Sequence, residues 1–190
     1  MTEGSDLRLV AGLGNPGPAY ARTRHNLGFM VLDELLLREG AAWRRLGQAD
    51  QATTGRSILL KPARFMNLSG RPIQAALTRA RLRPGQLLVV HDDLDLPFGR
   101  MRFRFGGSAG GQRGVQDTIA HIGKDFWRLK LGIGAAPAGF ETRNWVLSRF
   151  GKDELDLLDR VVGEAADAVS MALNEGPEAA ANAYNGLVIV

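Results

Sequence analysis

Leu87-Leu-Val-Val90 is an unbroken apolar run, preceded by Pro84-Gly85 and closed by His91-Asp92-Asp93. A strand turns successive side chains to opposite faces, so a run with no polar position belongs where both faces are covered. Residues 87–90 therefore read as a central strand with helices on either side. Leu7–Ala11 reads as a second buried strand, the first in chain order. Leu27 to Arg38 places apolar residues at 27, 31 and 35 and at 32 and 36, which is helical spacing. Gly40 closes that helix, with Thr23 or Asn26 as its cap. Ser69–Arg81 predicts a helix capped by Ser69. Gly114–Ile122, Asp153–Asn174 and Pro177–Tyr184 predict three more, and Trp127–Ile133 another strand. Thr53–Leu60 is strand material broken at Gly55, as in a hairpin. Arg100-Met-Arg-Phe-Arg-Phe105 alternates a basic face with an apolar one. Strands alternating with helices indicate the α/β class, with antiparallel pairing around 53–60 and 100–105. A length of 190 residues without a repeat or linker fits one domain.

Composition narrows the chemistry. There is no cysteine, which excludes disulfides, thiol catalysis and cysteine-based metal sites. No apolar run is long enough for a membrane-spanning helix. Met1–Asp6 is polar and lacks the pattern of a signal peptide, and the absence of cysteine fits a cytoplasmic protein. Residues 151–190 hold eight acids and two bases, a net charge of −6, whereas residues 1–150 carry a net +10. Gly99 to Gln116 contains Arg100, Arg102, Arg104 and Arg113 and no acid. A field of that sign attracts polyanions, and points to a nucleic-acid surface.

Gly12-Leu-Gly-Asn-Pro-Gly17 fits the glycine pattern of a dinucleotide-binding loop, but its context does not. That loop needs a helix opening within the turn, with backbone N–H groups aimed at the pyrophosphate. Pro16 and Pro18 remove donors, and the helical spacing begins only near residues 23–27. Asp33 and Glu34, at the distance of the ribose-binding acid, fall inside the helix. Gly106–Gly111 is no phosphate loop either, because no Gly-Lys-Ser/Thr follows it.

What remains is a set of polar residues where apolar elements begin or end: Asn15, His25, Asn67 and the His91-Asp92-Asp93 stretch. Open α/β sheets place ligands at the carboxyl ends of strands. His25, His91 and His121 lack metal-ligand spacing, and no G-x-S-x-G elbow is present. A histidine–aspartate pair acting on water fits. The carboxylate fixes the ring tautomer while the other nitrogen takes a proton. Asparagine amides orient water or donate to a developing oxyanion. The set suits hydrolysis of an activated acyl bond such as an ester.

Four of these stretches, Gly12-Leu-Gly-Asn-Pro-Gly17, Thr23-Arg-His-Asn26, Phe65-Met-Asn-Leu-Ser-Gly70 and His91-Asp-Asp-Leu-Asp-Leu-Pro97, resemble the bacterial peptidyl-tRNA hydrolase family. Gly106-Gly107, Gly110-Gly111, Gly114 and Leu131-Gly-Ile-Gly134 match it in order, and the likeness runs from about Leu7 to Ala183. It implies one three-layer α/β/α domain over residues 1–190, with a mixed, mostly parallel sheet. It also implies a monomer without metal or other cofactor. The implied reaction hydrolyses the ester joining a peptide to the 3′ end of tRNA. By the same resemblance His25 is the base, Asp92 its partner, and Asn15 the residue favouring N-blocked substrates. Asn67 positions substrate, and Tyr20, Phe65 and Met66 line the site. Arg100, Arg102, Arg104, Arg128 and Lys130 lie where tRNA phosphates are met. Gln112-Arg113 departs from the family, which usually shows His-Asn. The Asn is a substrate contact, so Arg113 replaces it with a longer cation that takes over a phosphate or carbonyl contact or lowers activity. The family also has a plant organellar branch that assists intron splicing, so a non-catalytic RNA-binding protein is the alternative.

Overall fold

The computed structural model describes residues 6–190, so Met1–Ser5 of the polar N-terminal stretch lie outside the described residues. The strands are β1 (Leu9–Gly12), β2 (Arg44–Leu46), β3 (Ala49–Thr54), β4 (Ser57–Pro62), β5 (Leu87–Asp93), β6 (Met101–Phe105) and β7 (Trp127–Gly132). The helices are α1 (Leu27–Glu39), α2 (Gly70–Ala80), α3 (Arg113–Ile122), α4 (Thr142–Val146), α5 (Leu155–Glu175) and α6 (Pro177–Tyr184).

One sheet runs in the order β2-β3-β4-β1-β5-β7-β6. Its centre, β4-β1-β5-β7, is parallel, and the outer pairs are antiparallel. β1 and β5 are buried along their whole length, as unbroken apolar runs require. Alternate residues feed two cores. Val10, Leu59, Leu88, Val90 and Leu129 pack against α1, α5 and α6 through Val31, Val161, Ala165 and Ala180. Leu9, Ala11, Leu60 and Val89 pack against α2 and α3 through Ile73, Ala76 and Val115. The result is the expected three-layer α/β/α arrangement.

One close approach sets the position of the first helix. A Cβ at Gly12 would fall 2.6 Å from the Gly28 carbonyl oxygen, and one at Gly28 would run into Val90 and Leu13 backbone atoms. α1 therefore lies backbone to backbone on the ends of β1 and β5. Gly14 faces the Phe29 ring in the same way, and Gly17 takes a φ of +103°. The glycines that mimic a nucleotide loop thus serve helix packing and a turn.

Several local expectations need correction. The hairpin is longer than 53–60: β3 and β4 turn about Gly55, whose φ is +58°. β2 carries no sequence signal, since its three exposed residues do not alternate, and pairing with β3 makes it a strand. Thr23, Asn26 and Ser69 cap nothing with their side chains. Asn26 bonds to Asn15 instead, and the Gly70 N–H that opens α2 donates to Asp117 Oδ2 of α3 at 2.8 Å. Gly40 does close α1, at φ +62°.

Candidate active site

Neighbouring parallel strands β4, β1 and β5 end on the same edge of the sheet. Phe65–Asn67 follows β4, Asn15 follows β1, and Asp92 and Asp93 are the last residues of β5. His25 comes to that edge from a 3-10 turn, Arg24–Asn26, that leads into α1. The Gly12–Gly28 contact brings this turn against the sheet.

His25 Nδ1 lies 2.9 Å from Asp92 Oδ2. Because a carboxylate accepts, Nδ1 carries the proton and Nε2 is left as an acceptor. Asp92 is 2% exposed, while His25 borders an open cleft and its Nε2 has no partner among the described residues. The other two histidines are committed elsewhere. His91 is buried in β5 with Nδ1 donating to the Asp92 carbonyl at 2.8 Å, and burial holds it below the usual histidine range. His121 Nδ1 donates to the Asp117 carbonyl within α3.

Asn15 is fixed at three points. Its Oδ1 accepts the Met66 N–H at 2.6 Å, its own N–H donates to Asn26 Oδ1 at 2.8 Å, and its carbonyl accepts Asn26 Nδ2 at 2.9 Å. This leaves the Asn15 amide NH2 as the free end at the cleft. Asn67 is exposed at the rim with its amide unbonded among the described residues, and Met66 is buried beneath it. Tyr20 and Phe65 meet edge to face, with centroids 6.1 Å apart, and form an apolar lip. These residues share a cleft of about 570 Å³ with His25 and Asp92.

The far wall comes from α4, through Thr142, Arg143 and Val146, and from Leu147 just after it. Arg24 holds α4 in place. The buried Arg24 guanidinium sits 3.7 Å from the Trp145 ring centre and forks onto Glu154 at 3.0 and 2.9 Å. Its Nε donates to Ser148 Oγ at 3.1 Å. Burial alone would raise the Glu154 carboxyl, but Arg24 and the Gly151 N–H hold it below its ordinary value. No local signal in the sequence pairs Arg24 with residues so distant.

The basic residues separate. Arg102 and Arg104 project from β6 on one face and are exposed, while Arg100, just before the strand, is half-buried. Lys130, opposite Arg102, pairs with Asp93 Oδ2 at 2.9 Å. Burial pushes the Asp93 carboxyl up, but Lys130 and the Asp95 N–H outweigh it and hold the group below its ordinary value. The two acids thus divide: Asp92 faces His25 and Asp93 faces Lys130. Arg128 does not belong to the surface. It is 1% exposed and donates to the Gly107 and Ser108 carbonyls, anchoring the glycine loop from beneath. Burial, then the nearby Arg104, lower its pKa to about 10. Arg104 and Lys130 stand outside the cleft, whereas Arg113 borders it, exposed and without an ion pair among the described residues. Among the described residues no group of three acids or histidines is placed to hold a metal, and no helix is long and apolar enough to cross a membrane.

The profile of the family described as peptidyl-tRNA hydrolase matches residues 9–189. The chain belongs to the peptidyl-tRNA hydrolase family. It is 46% identical over 184 residues to the peptidyl-tRNA hydrolase of Desulfitobacterium hafniense, covering 94% of this chain and all of that one. It is 48% identical over 194 residues to that of a Synechococcus strain, covering 96% and 94%. The crystal structure of the peptidyl-tRNA hydrolase from Acinetobacter baumannii superposes with a TM-score of 0.90 at 30% identity, over the whole of both chains. In this family member the motif residues His25, Asp92, Asn15 and Asn67 meet in one cleft. The Arg24 anchor and the place of Gln112 emerge only in three dimensions.

Proposed function

We propose that the chain hydrolyses the ester between a peptide and the 3′-terminal ribose of tRNA, freeing both. The observation that carries this is the His25–Asp92 contact of 2.9 Å with Nε2 open to the cleft. His25 Nε2 takes a proton from a water molecule, whose oxygen attacks the ester carbonyl. Asp92 stabilises the imidazolium formed. The free amides of Asn15 and Asn67 donate to the carbonyl oxygen as it gains charge or hold the peptide end. Collapse of the tetrahedral intermediate returns the proton from His25 to the departing ribose hydroxyl. Tyr20 and Phe65, over buried Met66, offer apolar surface to the terminal base or the first side chain.

Arg102, Arg104 and Lys130 lie along the β6–β7 edge beside the cleft and meet tRNA phosphates. Such contacts give affinity without reading sequence. Arg113 at the cleft mouth meets a phosphate or carbonyl of the acceptor end. All these residues come from one chain, so a monomer suffices, and the substrate places the work in the cytoplasm. The test is release of tRNA from N-acetyl-aminoacyl-tRNA by wild type and His25→Asn. Wild-type turnover lost in the variant is expected, and equal rates overturn the mechanism. Absent wild-type turnover with tight RNA binding is the result that the non-catalytic alternative requires.

A further inference from the structure

We propose that Gln112 is a positioning residue of the hydrolytic centre: its amide holds the second oxygen of Asp92 and so sets the direction in which that carboxylate meets His25. The inference rests on reading His25 and Asp92 as the base and its partner.

Gln112 Nε2 donates to Asp92 Oδ1 at 3.1 Å, while Oδ2 takes His25 at 2.9 Å. The other end of the amide is fixed too. Oε1 accepts the Val115 N–H at 2.8 Å and caps α3. A helix N–H needs an oxygen, so the cap decides that the NH2 end faces the carboxylate. Nε2 also lies 3.3 Å from Met66 Sδ, on the residue whose N–H holds Asn15. One side chain therefore links α3, the turn after β4 and the end of β5 to the turn carrying His25. Gly114 permits this, since a Cβ there would fall 2.6 Å from Met66 Sδ and 2.8 Å from Leu13.

The terminal torsion of an aspartate is broad, so one bonded oxygen does not fix the carboxylate plane. A donor on each oxygen does. Both bonds involve a charged acceptor in a buried setting, where a hydrogen bond is strongest. A primary amide does not titrate, so Gln112 itself keeps its donor at any pH.

Two substitutions separate the cap from the grip on Asp92. Gln112→Ser retains an N-capping oxygen and is too short to reach the carboxylate. Gln112→Glu retains the cap and replaces the donor with a charge facing Asp92. Both are assayed as the full chain on N-acetyl-aminoacyl-tRNA, beside His25→Asn and with Tm measured for each. The expected result in Gln112→Ser is a wild-type Tm, a KM within about twofold and a kcat lower by about tenfold; in Gln112→Glu kcat falls further, and the facing carboxylates also lower Tm. Wild-type kcat in both variants, or a loss in Gln112→Ser confined to KM or following Tm, overturns the role of Gln112. Full activity of His25→Asn overturns instead the reading on which it rests.

Discussion

The Arg24 guanidinium stacks 3.7 Å from the centre of the Trp145 ring, tying the cleft wall to the turn that carries His25. Arg24 is planar and forks onto Glu154, and lysine reproduces neither feature. Arg24→Lys should cost about 1–3 kcal/mol of stability, from the stacking and the buried fork. It should also raise KM as α4 loosens. Urea unfolding together with steady-state kinetics checks both, and an unchanged KM would separate the wall from substrate binding.

The same pair makes stability depend on pH in one direction. Glu154 titrates below its ordinary value, so the stabilisation from its charge is complete above the unfolded carboxyl value, about pH 4. It is lost as pH falls through the lower folded value. Asp93, held down by Lys130, contributes with the same sign. Unfolding free energies of wild type and Glu154→Gln should differ most near neutrality and converge in acid. A gap that widens on acidification would contradict the assignment.

Asn15→Asp keeps an oxygen for the Met66 N–H and replaces the free NH2 with negative charge. The fold should survive while kcat falls by about 100-fold, the scale of losing one oxyanion donor. Asn15→Ala should also lose about 1–3 kcal/mol of stability, because the Met66 N–H is left without its partner. Thermal melts and single-turnover rates distinguish the two.

Exposed Arg104 and buried Arg128 should behave differently although they face each other across β6 and β7. Arg104→Ala should raise KM with little change in kcat and lessen the salt dependence of binding by about one phosphate contact. Lys130→Ala should also raise KM, while leaving Asp93 without its ion pair. Arg128→Ala should chiefly lower Tm and loosen residues 106–111, visible in proteolysis and hydrogen exchange.

Arg113 has no ion pair among the described residues and faces the cleft. Arg113→Asn should raise KM at low salt, and the difference should shrink at high salt, as for a phosphate contact. A salt-independent fall in kcat would instead give Arg113 a role at the reacting carbonyl.

Much of the fold was legible because its central strands are uniformly apolar and its long helices are periodic. The meeting of His25, Asp92, Asn15 and Asn67 was legible as order along the chain, since each adjoins an element end. Their distances were not. Arg128 and Lys130 look alike in sequence, two apart on one strand face. A glycine loop folded over β7 buries the first, and nothing local announces that. α4 has five residues, too few for a period, and exists against Arg24. Asn26 has the composition of a cap, but Asn15 engages its amide from the preceding loop.

The Gly28 backbone fills the space of a Gly12 side chain, and Val90 and Leu13 backbone atoms fill that of Gly28, where α1 meets the sheet. Restoring a methyl at either position pushes α1 outward and carries His25 away from Asp92. Function is therefore sensitive to atoms that never touch a substrate. A population of variants would show these glycines to be as intolerant of change as the histidine itself. Transplanting the site to another scaffold would succeed only with the bare backbone crossing that sets its depth.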